Sequence, residues 1–183
     1  MRNAATATVL VVAATATLLG ASLAGVTLPD TTQVAGKTLV LNGMGVRSKI
    51  GFKVYVGGLY LEQKSADAET ILGTDAPRRI VMHFLRDVDR DAMVEAFQES
   101  FAANSSNAAS MKGDFDKMLA AFQPITSGDE WAFTYVPGKG TTLTVKGADT
   151  LTIPGQPFGR AMFACFLGAK PPSGSLKTGL LGK

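Results

Sequence analysis

The sequence predicts an α+β fold, an open-faced β-sandwich in which helices pack on one face of a large, mostly antiparallel sheet. Three observations predict it. The segments Lys37 to Glu62 and Glu130 to Gly155 are rich in branched and aromatic residues and are broken by short turn signals. Between and after them run three stretches whose apolar residues recur at helical spacing. The chain of 183 residues shows no internal repeat and no linker long enough to divide it.

The N-terminus stands apart from that pattern. Arg2 is followed by no further charge until Asp30, and the middle of the stretch is VLVVAATATLLG. This is the form of a secretory signal, and Ser22-Leu23-Ala24 supplies small residues for a cut after Ala24. Residues 1–24 are therefore expected to be a signal peptide and residues 25–183 a single domain, periplasmic or secreted. The apolar part falls short of the roughly 20 residues that span a bilayer, so no stable membrane anchor is expected after cleavage. The only cysteine, Cys165, excludes an intrachain disulfide, so packing has to supply the stability. Formal charge is +3 with Arg2 included, and no basic run exceeds Arg78-Arg79. Nucleic acid would find no track of positive charge here, and none is expected as a partner.

Lys37 to Arg47 and Ile50 to Glu62 read as a hairpin with its bend at Ser48-Lys49. Ser65 can cap a short helix running to Leu72, because Asp67 and Glu69 then lie in its positively polarised first turn. Arg79 to Arg86 has a continuous apolar middle and reads as a buried strand. Met93, Phe97 and Phe101 recur every four residues after Asp87 and Asp89, which can cap that helix. ANSSNAAS, Ala103 to Ser110, breaks the period as a loop, and Phe115, Met118, Leu119 and Phe122 restore it in a second helix closed by Pro124. Turn residues at Pro137 to Gly140 and Gly147 to Asp149 divide the next strands into a three-stranded meander. Pro157 opens a last helix in which Phe158, Met162, Cys165 and Phe166 share a side. The tail after Gly168 reads as loop with at most one helical turn.

Residues able to do chemistry are few. The single histidine, His83, lies inside a buried-looking strand, so no metal cluster and no Ser-His or Cys-His pair is indicated, and no cofactor is expected. The glycines at 43, 45, 57 and 58 lack the context of a dinucleotide fingerprint and mark a bulge or a close approach to the backbone. Strand alternation puts Lys53 and Tyr55 on one face with Leu59 and Leu61, and Phe52, Val54 and Val56 on the other. Arg47 admits two readings from its residues alone. It ends a strand in solvent, or it waits for an external anion, since a guanidinium fork matches a carboxylate in two parallel bonds.

The segments LVLNGMGVRSKIGFKVYVGGLYLE, RRIVMHFLRDV, FTYVPGKGTTLTVKG and IPGQPFGRAMFACFLGAKPPSGSLKTGLLG together resemble the bacterial branch of the chalcone isomerase-like family, from about Leu28 to Gly182. The resemblance implies an open-faced sandwich and two kinds of relative, plant isomerases that close a flavanone ring and plant fatty-acid-binding proteins without that activity. It matches Arg47 to the cleft arginine that holds a fatty-acid carboxylate in the binding proteins. Tyr55 matches a tyrosine of the binding proteins where the enzymes carry threonine. The enzymes' cleft tyrosine and asparagine fall near Asp89 and Ala96, and a further cleft threonine falls at Cys165, so most of the catalytic set is missing.

The expectation is a non-catalytic periplasmic binding protein for a fatty acid or similar small amphiphilic ligand. Arg47 and Tyr55 hold its head group, and Met93, Phe97, Phe101, Phe163, Cys165 and Phe166 line the pocket. The alternatives are a chalcone isomerase-type intramolecular lyase with Arg47 as electrophile, and a structural envelope protein in which Arg47 bridges internal carboxylates.

Overall fold

The computed structural model describes residues 20–183; most of the expected signal, including its apolar core, lies outside them. Strands β3 (Thr31–Val34), β4 (Lys37–Lys49), β5 (Phe52–Leu61), β6 (Arg78–Phe84), β7 (Glu130–Val136), β8 (Gly140–Val145) and β9 (Ala148–Ile153) form one sheet in chain order. Every neighbouring pair is antiparallel. Helices α1 (Ala68–Gly73), α2 (Arg90–Asn104), α3 (Lys112–Ala120), α4 (Gln156–Leu167) and α5 (Gly174–Leu180) cover one face, as expected. α4 buries nearly its whole circumference, which is why its sequence from Phe158 to Leu167 carries a single charge, Arg160.

The opposite face is covered only in part. Strands β1 (Gly20–Leu23) and β2 (Val26–Pro29) form a separate hairpin, and Val26 and Leu28 pack there with Leu39, Leu41, Val56, Tyr60, Val81 and Ala132. The expected processing point after Ala24 falls in the turn of this hairpin, so a cut there removes β1 and leaves the buried residues of β2 in place.

Four hairpins close through the same device, a residue followed by glycine with both φ angles positive: Ala24-Gly25, Ala35-Gly36, Ile50-Gly51 and Lys146-Gly147. Such pairs match the right-handed twist of the flanking strands. The β4–β5 bend therefore sits at Ile50-Gly51, two residues beyond the expected Ser48-Lys49. The α1 cap is Asp67 rather than Ser65, because its carboxylate accepts from the amides of Glu69 and Thr70 while Ser65 is held by Asn42. α2 continues to Asn104, and the expected loop is partly a 3-10 turn at Ala108–Met111. Asp87 closes a loop by accepting from the amide of Ser127, and Asp89 occupies the α2 cap position without a side-chain bond.

The larger correction concerns the tail. It forms α5, capped by Ser173 and laid against β4. Gly43, Gly45 and Gly179 make this contact: a Cβ on Gly43 would fall on the carbonyl oxygen of Gly179, and one on Gly45 on that of Leu176. The glycines read as a bulge or a close approach are thus places where the chain's own helix meets the strand backbone, while Gly58 makes room for Leu28.

Candidate functional site

Two β-bulges aim the side chains of the site. Along β4, Leu39 and Leu41 belong to the cluster beneath the N-terminal hairpin, and so do Met44 and Val46. The change from odd to even numbers happens at Asn42, where the pairing jumps from Leu41↔Tyr60 to Gly43↔Leu59. Since one inserted residue moves all later side chains to the other face, this bulge turns Arg47 toward the helices. Asn42 is held there by donating to the carbonyls of Ser65 and Leu180, at 2.9 and 2.8 Å, and by accepting from the Ser65 amide at 2.7 Å.

The second bulge lies at Val54, between the pairs Arg47↔Tyr55 and Ser48↔Lys53. It sets Tyr55 directly across from Arg47 and draws Val54 into the helix-side core, where simple alternation expects it on the opposite face. Cross-strand partners on one face are near neighbours, so the phenol and the guanidinium share a site. Tyr55 is further fixed by edge-on packing with Phe84, ring centroids 5.5 Å apart.

The two side chains line a hollow of ≈ 20 Å³, closed by Met93, Ala96, Phe97 and Ser100 of α2, Cys165 and Phe166 of α4, and Pro172. That is room for about one water molecule. Six of the expected residues therefore meet: Arg47, Tyr55, Met93, Phe97, Cys165 and Phe166. Phe101 stacks instead on Phe115, at 3.9 Å between centroids, and Phe163 covers the guanidinium of Arg78 at 4.9 Å. Ser100, one turn after Ala96 and Phe97, was within reach of the helical period; its hydroxyl donates to the Cys165 carbonyl at 2.8 Å and ties α2 to α4. Pro172 has no periodic signal and arrives through the docking of α5.

Arg47 is half-buried, and its Nε is fully enclosed without a hydrogen-bond partner. None of the ion pairs among the described residues includes it. The reading in which Arg47 bridges internal carboxylates thus finds no such partner there. Burial holds the Tyr55 phenol far above its ordinary range against the opposing pull of Arg47. Burial likewise raises the Cys165 thiol to about 12, with the Ser100 hydrogen bond acting the other way. At neutral pH the hollow therefore presents one cation and one neutral hydroxyl donor among apolar walls. Such a set favours an anion's oxygens and provides no base. Asp89, at the start of α2, is exposed and does not line it.

Among the described residues no group of three or more His, Cys, Asp or Glu comes together that could hold a metal, and His83 lies half-buried between Val56 and Glu130.

These raised values predict an alkaline limit to stability. The unfolded chain loses the Cys165 proton from about pH 9 and the tyrosine protons from about pH 10, whereas the folded chain keeps them longer. The stability that these groups contribute is thus fully present below pH 9 and declines above it, by up to about 1.4 kcal/mol per pH unit for a fully buried group such as Tyr55. Urea midpoints measured between pH 8 and 11 should hold to about pH 9 and fall beyond it, and Cys165→Ala should remove the part that begins near pH 9.

A family model described as chalcone isomerase-like matches residues 20–182. A crystal structure of a fatty-acid binding protein from Arabidopsis thaliana superposes with a TM-score of 0.68 over 86% of this chain and 92% of that one, at 14% sequence identity. At that identity the likeness concerns the fold. No curated protein sequence matches.

Proposed function

The chain belongs to the chalcone isomerase-like family, and from this we propose that it binds a fatty acid or a similar apolar carboxylate without transforming it. The single observation that carries the reading is the guanidinium of Arg47, without an ion-pair partner among the described residues and partly buried beside the protonated Tyr55, walled by Met93, Phe97 and Phe166. An enclosed N–H without a partner is costly, and a carboxylate bonded to Arg47 and Tyr55 repays that cost. The fatty-acid binding protein on the same fold supports the choice of ligand class.

The hollow of ≈ 20 Å³ accepts a head group's oxygen and no alkyl chain, so binding requires the wall to open. Met93 and the phenylalanine rings are the side chains to move, since a thioether chain repacks at little cost. Ala96 and Cys165, which stand where the isomerases are matched to an asparagine and a threonine, leave no group to orient a reacting phenolate. Ring closure needs such orientation and binding does not. The exported location is part of the proposal and rests on the N-terminal sequence pattern.

The test is native mass spectrometry and lipid extraction of the purified protein, followed by titration with saturated acids of graded length. Affinity that rises with chain length and vanishes for the methyl esters is expected. Failure of every carboxylate to bind at millimolar concentration, or turnover of a chalcone above its spontaneous rate, would overturn the reading.

A further inference from the structure

Among the described residues, Ile50 and Phe52 are the large apolar residues that the fold leaves in the open, 88% and 61% exposed. They occupy the tip of the β4–β5 hairpin. Of the four residue-glycine turns described above, three carry Ala or Lys at the first position, and this one carries isoleucine with φ at 50°. A β-branched side chain in that region is strained, and packing gives no reason for it because Ile50 touches the solvent on nearly all sides.

The surroundings of the tip are cationic. Lys49 and Lys53 flank it on the same hairpin, and Arg86, just past β6, lies over the Phe52 ring with 4.8 Å between guanidinium carbon and centroid. All three are exposed, and none takes part in an ion pair among the described residues. The acidic residue adjoining them in sequence is Asp87, whose carboxylate is engaged by the Ser127 amide. Between Asp30 and Glu62 the chain has no acidic residue at all.

We propose that this tip, Ile50 and Phe52 ringed by Lys49, Lys53 and Arg86, is a docking surface for an anionic lipid bilayer. Two apolar side chains on a rigid turn suit insertion at the head-group level, and cations around them suit the phosphates of acidic lipids. A second copy of the chain would bring the same positive ring against itself, which disfavours self-association through the tip. Ile50 follows Arg47 by three residues, just past the end of β4, so a docked molecule holds the Arg47 hollow close to the lipid surface. The docking surface goes beyond the ligand reading and does not depend on it.

Flotation with vesicles of phosphatidylcholine, alone or mixed with phosphatidylglycerol, tests this on the purified protein and on variants sharing its N-terminus. Wild type should bind the anionic vesicles at least tenfold better than the neutral ones, with the excess lost at high salt. I50N/F52S should lose at least tenfold in that binding. K49Q/K53Q should lose several-fold and retain a weaker, salt-insensitive part. K112Q/K117Q, which removes the same charge from exposed lysines of α3, should bind vesicles as wild type does, which separates the tip from overall positive charge. Equal binding of wild type and both tip variants overturns it, as does absence of binding to anionic vesicles. A wild-type dimer that I50N/F52S converts to monomer, read by light scattering, overturns it too by assigning the tip to a second copy.

Discussion

Arg47→Ala should lose at least about 30-fold in affinity for a long-chain carboxylate, from the roughly 2 kcal/mol that a charge-assisted bond contributes. The same variant should melt no lower than wild type. The two expectations together discriminate. In the free protein the Arg47 Nε is enclosed without a partner and the side chain has no counter-ion among the described residues, so removing it discards an unsatisfied group rather than a bond. Were Arg47 a structural strut, the variant would instead lose stability. Tyr55→Phe should weaken binding less, by about fivefold, because a neutral donor contributes about 1 kcal/mol. Isothermal titration and thermal melts on the three proteins measure both quantities. Full affinity in Arg47→Ala would end the binding-site assignment.

The second large effect is expected at a contact made by backbone atoms alone. Gly45→Ala should destabilise the protein by about 3 kcal/mol, as overpacking of a closed contact does. A Cβ at this position meets the Cα and carbonyl carbon of Leu176 at 2.9 and 3.0 Å, as well as that carbonyl's oxygen. These are backbone atoms of α5 and have no rotamer by which to withdraw. For a domain of this size the loss corresponds to roughly 6–12 °C in Tm. Gly113→Ala is the matched control: it lies in α3 with nothing within 4 Å of the added carbon, and alanine there should stabilise by up to about 1 kcal/mol. In the Gly45 variant α5 should become the first segment cut by trypsin, at Lys177. A melt within 1 °C of wild type would show that α5 is not held by this contact.

Much of the architecture was legible because it follows from local periods. Alternation marks the strands, and the spacing of Met93, Phe97 and Phe101 or of Phe115, Met118, Leu119 and Phe122 marks the buried sides of α2 and α3. Those signals are strong since each helix or strand has to bury one side whatever it packs against. Misplaced features were those set by a single residue or a distant one. The β4–β5 bend moved because an isoleucine occupies a positive-φ position usually given to glycine or asparagine. α5 was missed because its apolar residues are few, Leu176, Leu180 and Leu181, and its hold on the strand is made by glycines that carry no hydrophobic pattern. Phe101 shares the helical stripe of Met93 and Phe97, and Phe163 adjoins the stripe of Met162 and Phe166; only their rotation about α2 and α4 directs them to Phe115 and Arg78.

By itself the sequence determined the layered α+β plan, the absence of a disulfide, and the presence of an arginine and a tyrosine on strands too apolar to need them. These are properties of composition and period, which survive any arrangement of the parts. The tertiary structure decided that Arg47 and Tyr55 face each other and the helices. Two inserted residues, Asn42 and Val54, reverse which side of the sheet their strands present, and a change of parity leaves no trace in hydrophobic pattern when both faces of the strand are covered. It also decided the size of the hollow, because volume depends on how α2, α4 and the Pro172 segment close over the strand pair, a sum of long-range contacts that no stretch of sequence contains alone.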